Sequence, residues 1–160
     1  MAIQVGDKIP SMKLKIVTPE GQGEASTDEI FSGRKVVLFA VPGAFTPLCS
    51  AQHLPGYIEK AAEFEARGVD AVLCLSVNDA FVMEAWARDR GAGSSVTLVA
   101  DGSAEFTTAV GLGFDASDFG MGTRSQRYAL IAEDGVVTHL AVEQPRQFDV
   151  SGADAILAAL

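Results

Sequence analysis

Cys49 and Cys74 are the only thiols in the 160 residues, and they stand in contrasting company. Cys49 closes the stretch PGAFTPLC, Pro42 to Cys49, which directly follows the apolar run Val36 to Val41. A cysteine after a strand, in the first turn of the next helix, faces unpaired backbone N–H groups and the positive end of the helix dipole. Both favour thiolate over thiol, and the thiolate is the nucleophile. Attack on the O–O bond of a peroxide needs that anion and a donor for the departing oxygen, so a hydroxyl and an arginine beside it would suffice. The Pro, Gly and Ser/Thr residues around Cys49 are unsuited to a core, so its sulfur is expected within reach of solvent. Cys74 lies instead within the apolar run Val69 to Val77. Buried packing is the first reading for it, because free cysteine is among the most buried residue types.

Other polar side chains compete for roles. His53 follows Cys49 by four residues on the same helical face and could serve as a thiol-activating base. A capping or helix-surface role is expected, since backbone dipoles and an arginine already stabilise the anion. His139 reads as structural. Cys49, His53, Cys74 and His139 would number four zinc ligands, but their spacing fits no usual pattern, so neither a metal nor a cofactor is expected. Arg67, Arg88 and Arg90 read as solvated charges. Arg127 differs: it is expected to enter a strand within the sheet, where an unpaired guanidinium is costly without an anion nearby. Phe45, Phe81 and Trp86 fit a core or an interface equally.

The elements that must position these groups can be read from periodicity. Val36 to Val41 and Val69 to Val77 are continuous apolar runs, each followed by a helical pattern, which predicts a βαβ unit with parallel strands. The first crossover spans about Leu48 to Arg67, with a kink expected near Ala51 to Gly56 because Pro55 has no N–H and its ring crowds the carbonyl of Ala51. Asn78 or Asp79 caps a second helix through Phe81, Val82, Ala85 and Trp86, ended by Gly91 and Gly93 before a strand Val96 to Ala100. A short third crossover, Ser103 to Val110, precedes a glycine-rich stretch. Arg127 to Ala132 and Val136 to Val142 flank Glu133-Asp134-Gly135 as a hairpin. Ser151 opens a C-terminal helix, Gly152 to Leu160. Turn signals at Thr18 to Gly21 predict a small hairpin within residues 1 to 35. The order is that of a thioredoxin-like three-layer α/β sandwich with an N-terminal β-hairpin extension, in one domain over residues 1–160.

Composition narrows the partners. A formal charge of -9 repels a polyanionic backbone, which argues against nucleic acid. The apolar run Val36 to Val41 is far short of the roughly 20 residues a membrane span needs, and residues 1–5 lack the apolar stretch of a signal peptide. Two cysteines are too few for a disulfide framework and are not a CxxC pair. A cytoplasmic protein without membrane or nucleic-acid partners is expected.

The segment PGAFTPLCSAQHLPG, Pro42 to Gly56, resembles the active-site signature of the peroxiredoxins, and within them of the type II, peroxiredoxin-five-like subfamily. The resemblance extends through CLSVNDAFVMEAW, VADGSAEFT and TRSQRYALI, nearly the whole chain. It implies a thiol peroxidase of the thioredoxin superfamily that reduces hydrogen peroxide and alkyl hydroperoxides, in antioxidant defence and redox homeostasis. By resemblance, Cys49 falls on the peroxidatic cysteine, Thr46 on the hydroxyl that orients the peroxide, and Pro42 on the proline that shields the site. Arg127 falls on the arginine that holds the thiolate, with Arg124 a secondary basic group. Some relatives have a cysteine at the position of Cys74, which makes it a candidate resolving residue; others resolve near the C-terminus, where residues 145–160 hold none. An external thiol, glutathione with glutaredoxin or else thioredoxin, is expected to regenerate the enzyme, and a homodimer is implied. A protein-disulfide oxidoreductase lacks its CxxC, and a redox sensor with incidental catalysis stands as a third reading.

Overall fold

The computed structural model describes residues 1–160. The strand that leads to Cys49 is β3 (Lys35–Val41), an interior strand of the sheet buried at every position after Lys35. The alternation of a strand sends Val37, Phe39 and Val41 into one apolar core and Val36, Leu38 and Ala40 into another. A strand apolar on both faces needs cover on both, which is why the sheet is the middle of three layers. β4 (Ala71–Ser76) and β5 (Thr97–Ala100) extend it in parallel, and β8 (Tyr128–Glu133) runs antiparallel on the other side of β3. β9 (Val136–Val142) pairs with β8 at the edge.

The predicted N-terminal hairpin forms between β1 (Lys13–Thr18) and β2 (Gly21–Ser26). It is more than an appendage. β1 also pairs with β5, with Ile16 opposite Val99, so the seven strands run β2-β1-β5-β4-β3-β8-β9. Leu14 joins one core and Val17 the other, so β1 also has two apolar faces to cover. Next comes a short helix, α1 (Thr27–Phe31), absent from the sequence-based expectation although Ser26 and Glu29 give it a complete capping box.

Over one face lie α2 (Leu54–Glu59), α3 (Ala61–Ala66), α4 (Ala80–Arg90) and, near the C-terminus, α6 (Ala153–Ala159), supplying Leu54, Tyr57, Phe64, Met83, Trp86, Ile156 and Leu157 to the core. The opposite face is covered by α1 and α5 (Glu105–Ala109), with Ile30, Phe31 and Phe106. The third crossover helix, α5, falls within the predicted residues, but no parallel strand comes after it. The glycine-rich stretch holds a separate ribbon, β6 (Gly113–Asp115) with β7 (Thr123–Ser125). Three-residue strands are too short for period-two alternation to register.

Ser151 does not cap α6. The cap is Gly152, and Ser151 is fully buried with its hydroxyl turned to Glu143. No helix is long and apolar enough to cross a membrane.

The hairpin of β8 with β9 turns on Asp134 and Gly135, both at positive φ, 51° and 77°. A two-residue turn of that hand matches the twist of the strands. A Cβ on Gly135 would meet nothing within 4 Å, so Gly135→Ala tests backbone conformation alone. It should lower unfolding free energy by about 1 kcal/mol in urea titration; an unchanged midpoint would show that the turn adapts without strain.

Candidate active site

Beyond the carboxyl end of β3 the chain turns outward through Pro42 to Thr46. Asn78, in the loop after β4, tethers this turn: its Oδ1 accepts from the Ala44 N–H at 3.0 Å and from the Ser76 hydroxyl at 2.5 Å. Asp79 takes the capping role, accepting from the Val82 N–H at 2.9 Å. Of the two candidate caps, one caps and the other holds the site. Phe45 sits at φ 64°, a left-handed position uncommon for a non-glycine residue. The Thr46 hydroxyl donates to the Gly43 carbonyl at 2.6 Å. Pro47 then opens a helix at the position where a missing N–H costs nothing.

Pro55 shapes the turn that carries Cys49. In a regular helix its ring would strike the Ala51 carbonyl. The chain winds a π-type turn instead, Cys49–His53, with the Leu54 N–H reaching back to the Cys49 carbonyl, and α2 resumes beyond it. The predicted kink is therefore a widened turn. π-turns are rare and favour functional sites. This one places Cys49, Ser50, His53 and Leu54 all inward.

There they meet Arg127, which lies immediately before β8 and not within it. Its Nη2 donates to the Cys49 sulfur at 3.1 Å and its Nη1 to His53 Nδ1 at 2.7 Å. A guanidinium has only donors, so Nδ1 must accept, and the ring's proton resides on Nε2, which donates to the Ser151 carbonyl at 3.0 Å. The imidazole is thus neutral. Burial, with the Arg127 charge adding and the Ser151 bond opposing, pushes its pKa down to about 3. Tyr57 donates to the same carbonyl at 2.7 Å. The rings of Phe39 and Phe148 each lie 4.8 Å from the imidazole. The expected capping or helix-surface role of His53 is therefore corrected: the π-turn rotates the ring into the core.

Cys49 is also fully buried, against the expectation of a solvent-reachable thiol. Its sulfur turns inward to meet the guanidinium, while Pro42, Thr46 and Arg127 are each half-buried. Arg124 braces the turn that leads to Cys49. Its Nε donates to the Met121 carbonyl at 2.9 Å and its Nη1 to that of Pro42 at 3.4 Å. Behind the turn, buried Trp86 donates to the Ser50 hydroxyl at 2.8 Å and Arg90 to the Ser50 carbonyl at 3.3 Å. Arg90 is exposed, as expected of a surface charge, while one of its donors holds this carbonyl. Cys74 lies mid-strand opposite Phe39 and Leu98, fully buried, and burial pushes its thiol pKa well up. His139 stands apart on β9.

Residues 4–157 match the Redoxin family model. The chain is 53% identical over 99% of its length to peroxiredoxin-2E-2, chloroplastic, of Oryza sativa subsp. japonica, covering 72% of that protein. To peroxiredoxin-2B of Arabidopsis thaliana it is 48% identical, covering 99% of this chain and 98% of the other. The chain belongs to the peroxiredoxin family. Among solved structures, reduced Prx3 of Vibrio vulnificus in complex with hydrogen peroxide superposes with a TM-score of 0.93 at 52% identity, covering 98% of each chain. The peroxiredoxin described here therefore has the thioredoxin-like fold and is a thiol-dependent peroxidase, acting on hydroperoxides with a thiol reductant.

A neutral histidine buried in this peroxiredoxin links stability to pH. Its folded pKa, about 3, lies below the ordinary 6.5, so between those values the unfolded chain binds the extra proton. The stabilisation is complete above 6.5 and is lost on acidification. In urea titrations from pH 7 to pH 4, His53→Gln, which keeps a donor and an acceptor but cannot ionise, should lose less stability than the wild type. The difference should grow by up to about 1.4 kcal/mol per pH unit; parallel curves would assign the acid loss to other groups.

Proposed function

We propose that Cys49 is the peroxidatic nucleophile, and the observation that carries this reading is the 3.1 Å contact between its sulfur and the Arg127 guanidinium. A fixed cation beside the sulfur favours the anion and can also polarise an incoming peroxide. The thiolate attacks the terminal oxygen of the hydroperoxide. An S–O bond forms as the O–O bond breaks, the departing oxygen takes a proton and leaves as water or alcohol, and the sulfur, oxidised by two electrons, becomes a sulfenic acid. Thr46 orients the peroxide, Pro42 shields the sulfur from bulk water, and Arg124 holds the turn through the Pro42 carbonyl. Because the sulfur is covered in the resting enzyme, entry requires a small outward movement of the residues around it.

Hydrogen peroxide and small alkyl hydroperoxides are the substrates that a fully covered sulfur would admit with least movement. For regeneration we favour glutathione with glutaredoxin, or thioredoxin, over Cys74, which is locked in a central strand and held as a thiol by burial. A disulfide needs Cα atoms within about 7 Å and accessible sulfurs, so Cys74 could serve only after local unfolding. Both cysteines are free, consistent with a reducing cytoplasm and a role in redox homeostasis. Phe45, 49% exposed on the turn that leads to Cys49, and Phe81, 76% exposed at the start of α4, support a homodimer that covers them.

Peroxide consumption with glutathione/glutaredoxin and with thioredoxin, measured in parallel, tests these assignments. Cys49→Ser should fall to background and Arg127→Ala should lose about 10²–10³-fold, whereas Cys74→Ser should keep most turnover with glutathione and glutaredoxin. Turnover surviving in Cys49→Ser would overturn the nucleophile, and its loss in Cys74→Ser would restore that cysteine as resolving. Light scattering at micromolar concentration should give twice the chain mass; a monomer would remove the interface.

A further inference from the structure

β9 ends at Val142, and the next residue, Glu143, is a carboxylate only 8% exposed. None of the protein's ion pairs includes it. A buried carboxylate without a cation is costly unless hydrogen bonds satisfy it. Here a single oxygen, Oε2, accepts four: from the N–H groups of Asp149, Val150 and Ser151 at 2.8, 2.9 and 2.8 Å, and from the Ser151 hydroxyl at 2.6 Å. These bonds close residues 144–151 into a loop whose end is fixed on the strand that begins it.

That loop supplies two walls of the active site. Ser151 presents the carbonyl that takes the His53 Nε2 proton, and Phe148 packs its ring against the imidazole, with the Arg127 guanidinium 5.9 Å above the same ring. Glu143 also reaches Arg127 by a second path, since its own N–H donates to the Arg127 carbonyl at 2.9 Å. Backbone pairing therefore fixes where Arg127 stands, and the carboxylate fixes the loop that orients its guanidinium.

We propose that Glu143 is a positioning residue for the Cys49–Arg127 pair: by folding residues 144–151 it sets the Ser151 carbonyl and Phe148, which hold His53 as the neutral acceptor that aims Arg127 at the sulfur. The inference rests on the assignment of Cys49 and Arg127 above and adds a residue that does not touch the reacting atoms. Without the clamp, the Ser151 carbonyl drifts, the imidazole is free to rotate or change tautomer, and the guanidinium loses one of its two anchors.

The test uses Glu143→Ala and Glu143→Gln, each with His53 intact and with His53→Leu, all in a Cys74→Ser background so that Cys49 is the one reactive thiol. Two quantities are read: the pH midpoint of iodoacetamide alkylation at Cys49, and the second-order rate of Cys49 oxidation by hydrogen peroxide. Glu143→Ala should raise the midpoint and slow oxidation at least tenfold. Glu143→Gln, which keeps the shape and a weaker acceptor, should slow it about threefold, and it decides the matter alone if the alanine variant does not fold. With His53→Leu, either Glu143 change should add less than twofold. A midpoint and rate unmoved by the Glu143 changes would overturn the proposal, as would losses of equal size with and without His53, since a purely structural role does not pass through the imidazole. The alkylation midpoint reports Cys49 ionisation whether or not Cys49 is the nucleophile, so failure here is distinct from turnover surviving in Cys49→Ser.

Discussion

A guanidinium carries five donors and no acceptor, and it cannot lose its charge in a protein. Arg127 is held half-buried at the end of a strand, and its forward donors meet the Cys49 sulfur and the His53 ring. The sulfur in turn is sealed from solvent, with the guanidinium as its hydrogen-bond donor. The arrangement holds only while both are fixed within hydrogen-bond distance, and much of the surrounding structure serves that condition.

Sheet pairing brings together two residues separated by 78 positions of chain. β3 and β8 are neighbours, with Ala40 opposite Tyr128, so the segment that leaves β3 towards Cys49 and the residue that enters β8, Arg127, emerge at the same end of the sheet. β4, on the other side of β3, contributes Asn78 at that end and ties down the outgoing turn. Catalytic groups in open α/β sheets collect beyond the carboxyl ends of parallel strands; here the antiparallel partner delivers its cation there too, because its N-terminal end lies alongside. The π-turn completes the placement by turning both Cys49 and His53 inward.

Sequence carries the frame well and the supporting contacts poorly, for physical reasons. The parallel strands and the β8–β9 hairpin are long enough for their patterns to register, and Asp134-Gly135 is a turn signal with a backbone cause. Pro55 announces a disturbance, though not that the helix answers with a π-turn, and the expected place of His53 is wrong as a result. Cys49 is recognisable by its segment, yet its burial is not, because a Pro- and Gly-bearing turn carries no periodic pattern and the sulfur is covered only by the π-turn and by core residues distant in sequence. β6 and β7 are too short for periodicity. Asn78, Glu143 and Ser151 act through contacts with residues distant in sequence or through backbone atoms, and the Ser151 carbonyl leaves no trace in residue type at all. The one local signal within reach is a pair of consecutive polar residues, Asn78 and Asp79, where a helix needs a single cap.

His53 shows why burial here is part of the chemistry. Were the ring protonated, Nδ1 would carry a hydrogen aimed at the Arg127 donors, and two cations would face each other beside the sulfur. The guanidinium would have to swing away and the sulfur would lose its partner. Packing between Phe39 and Phe148 disfavours the charged ring, and the Ser151 carbonyl, held by the Glu143 carboxylate, selects the tautomer that leaves Nδ1 as an acceptor. A solvated imidazole would titrate near neutral pH and would switch the site with small changes in acidity. Enclosing it removes that sensitivity from the working range, and the cost is deferred to acid conditions, where a fold that must keep this histidine neutral is less stable.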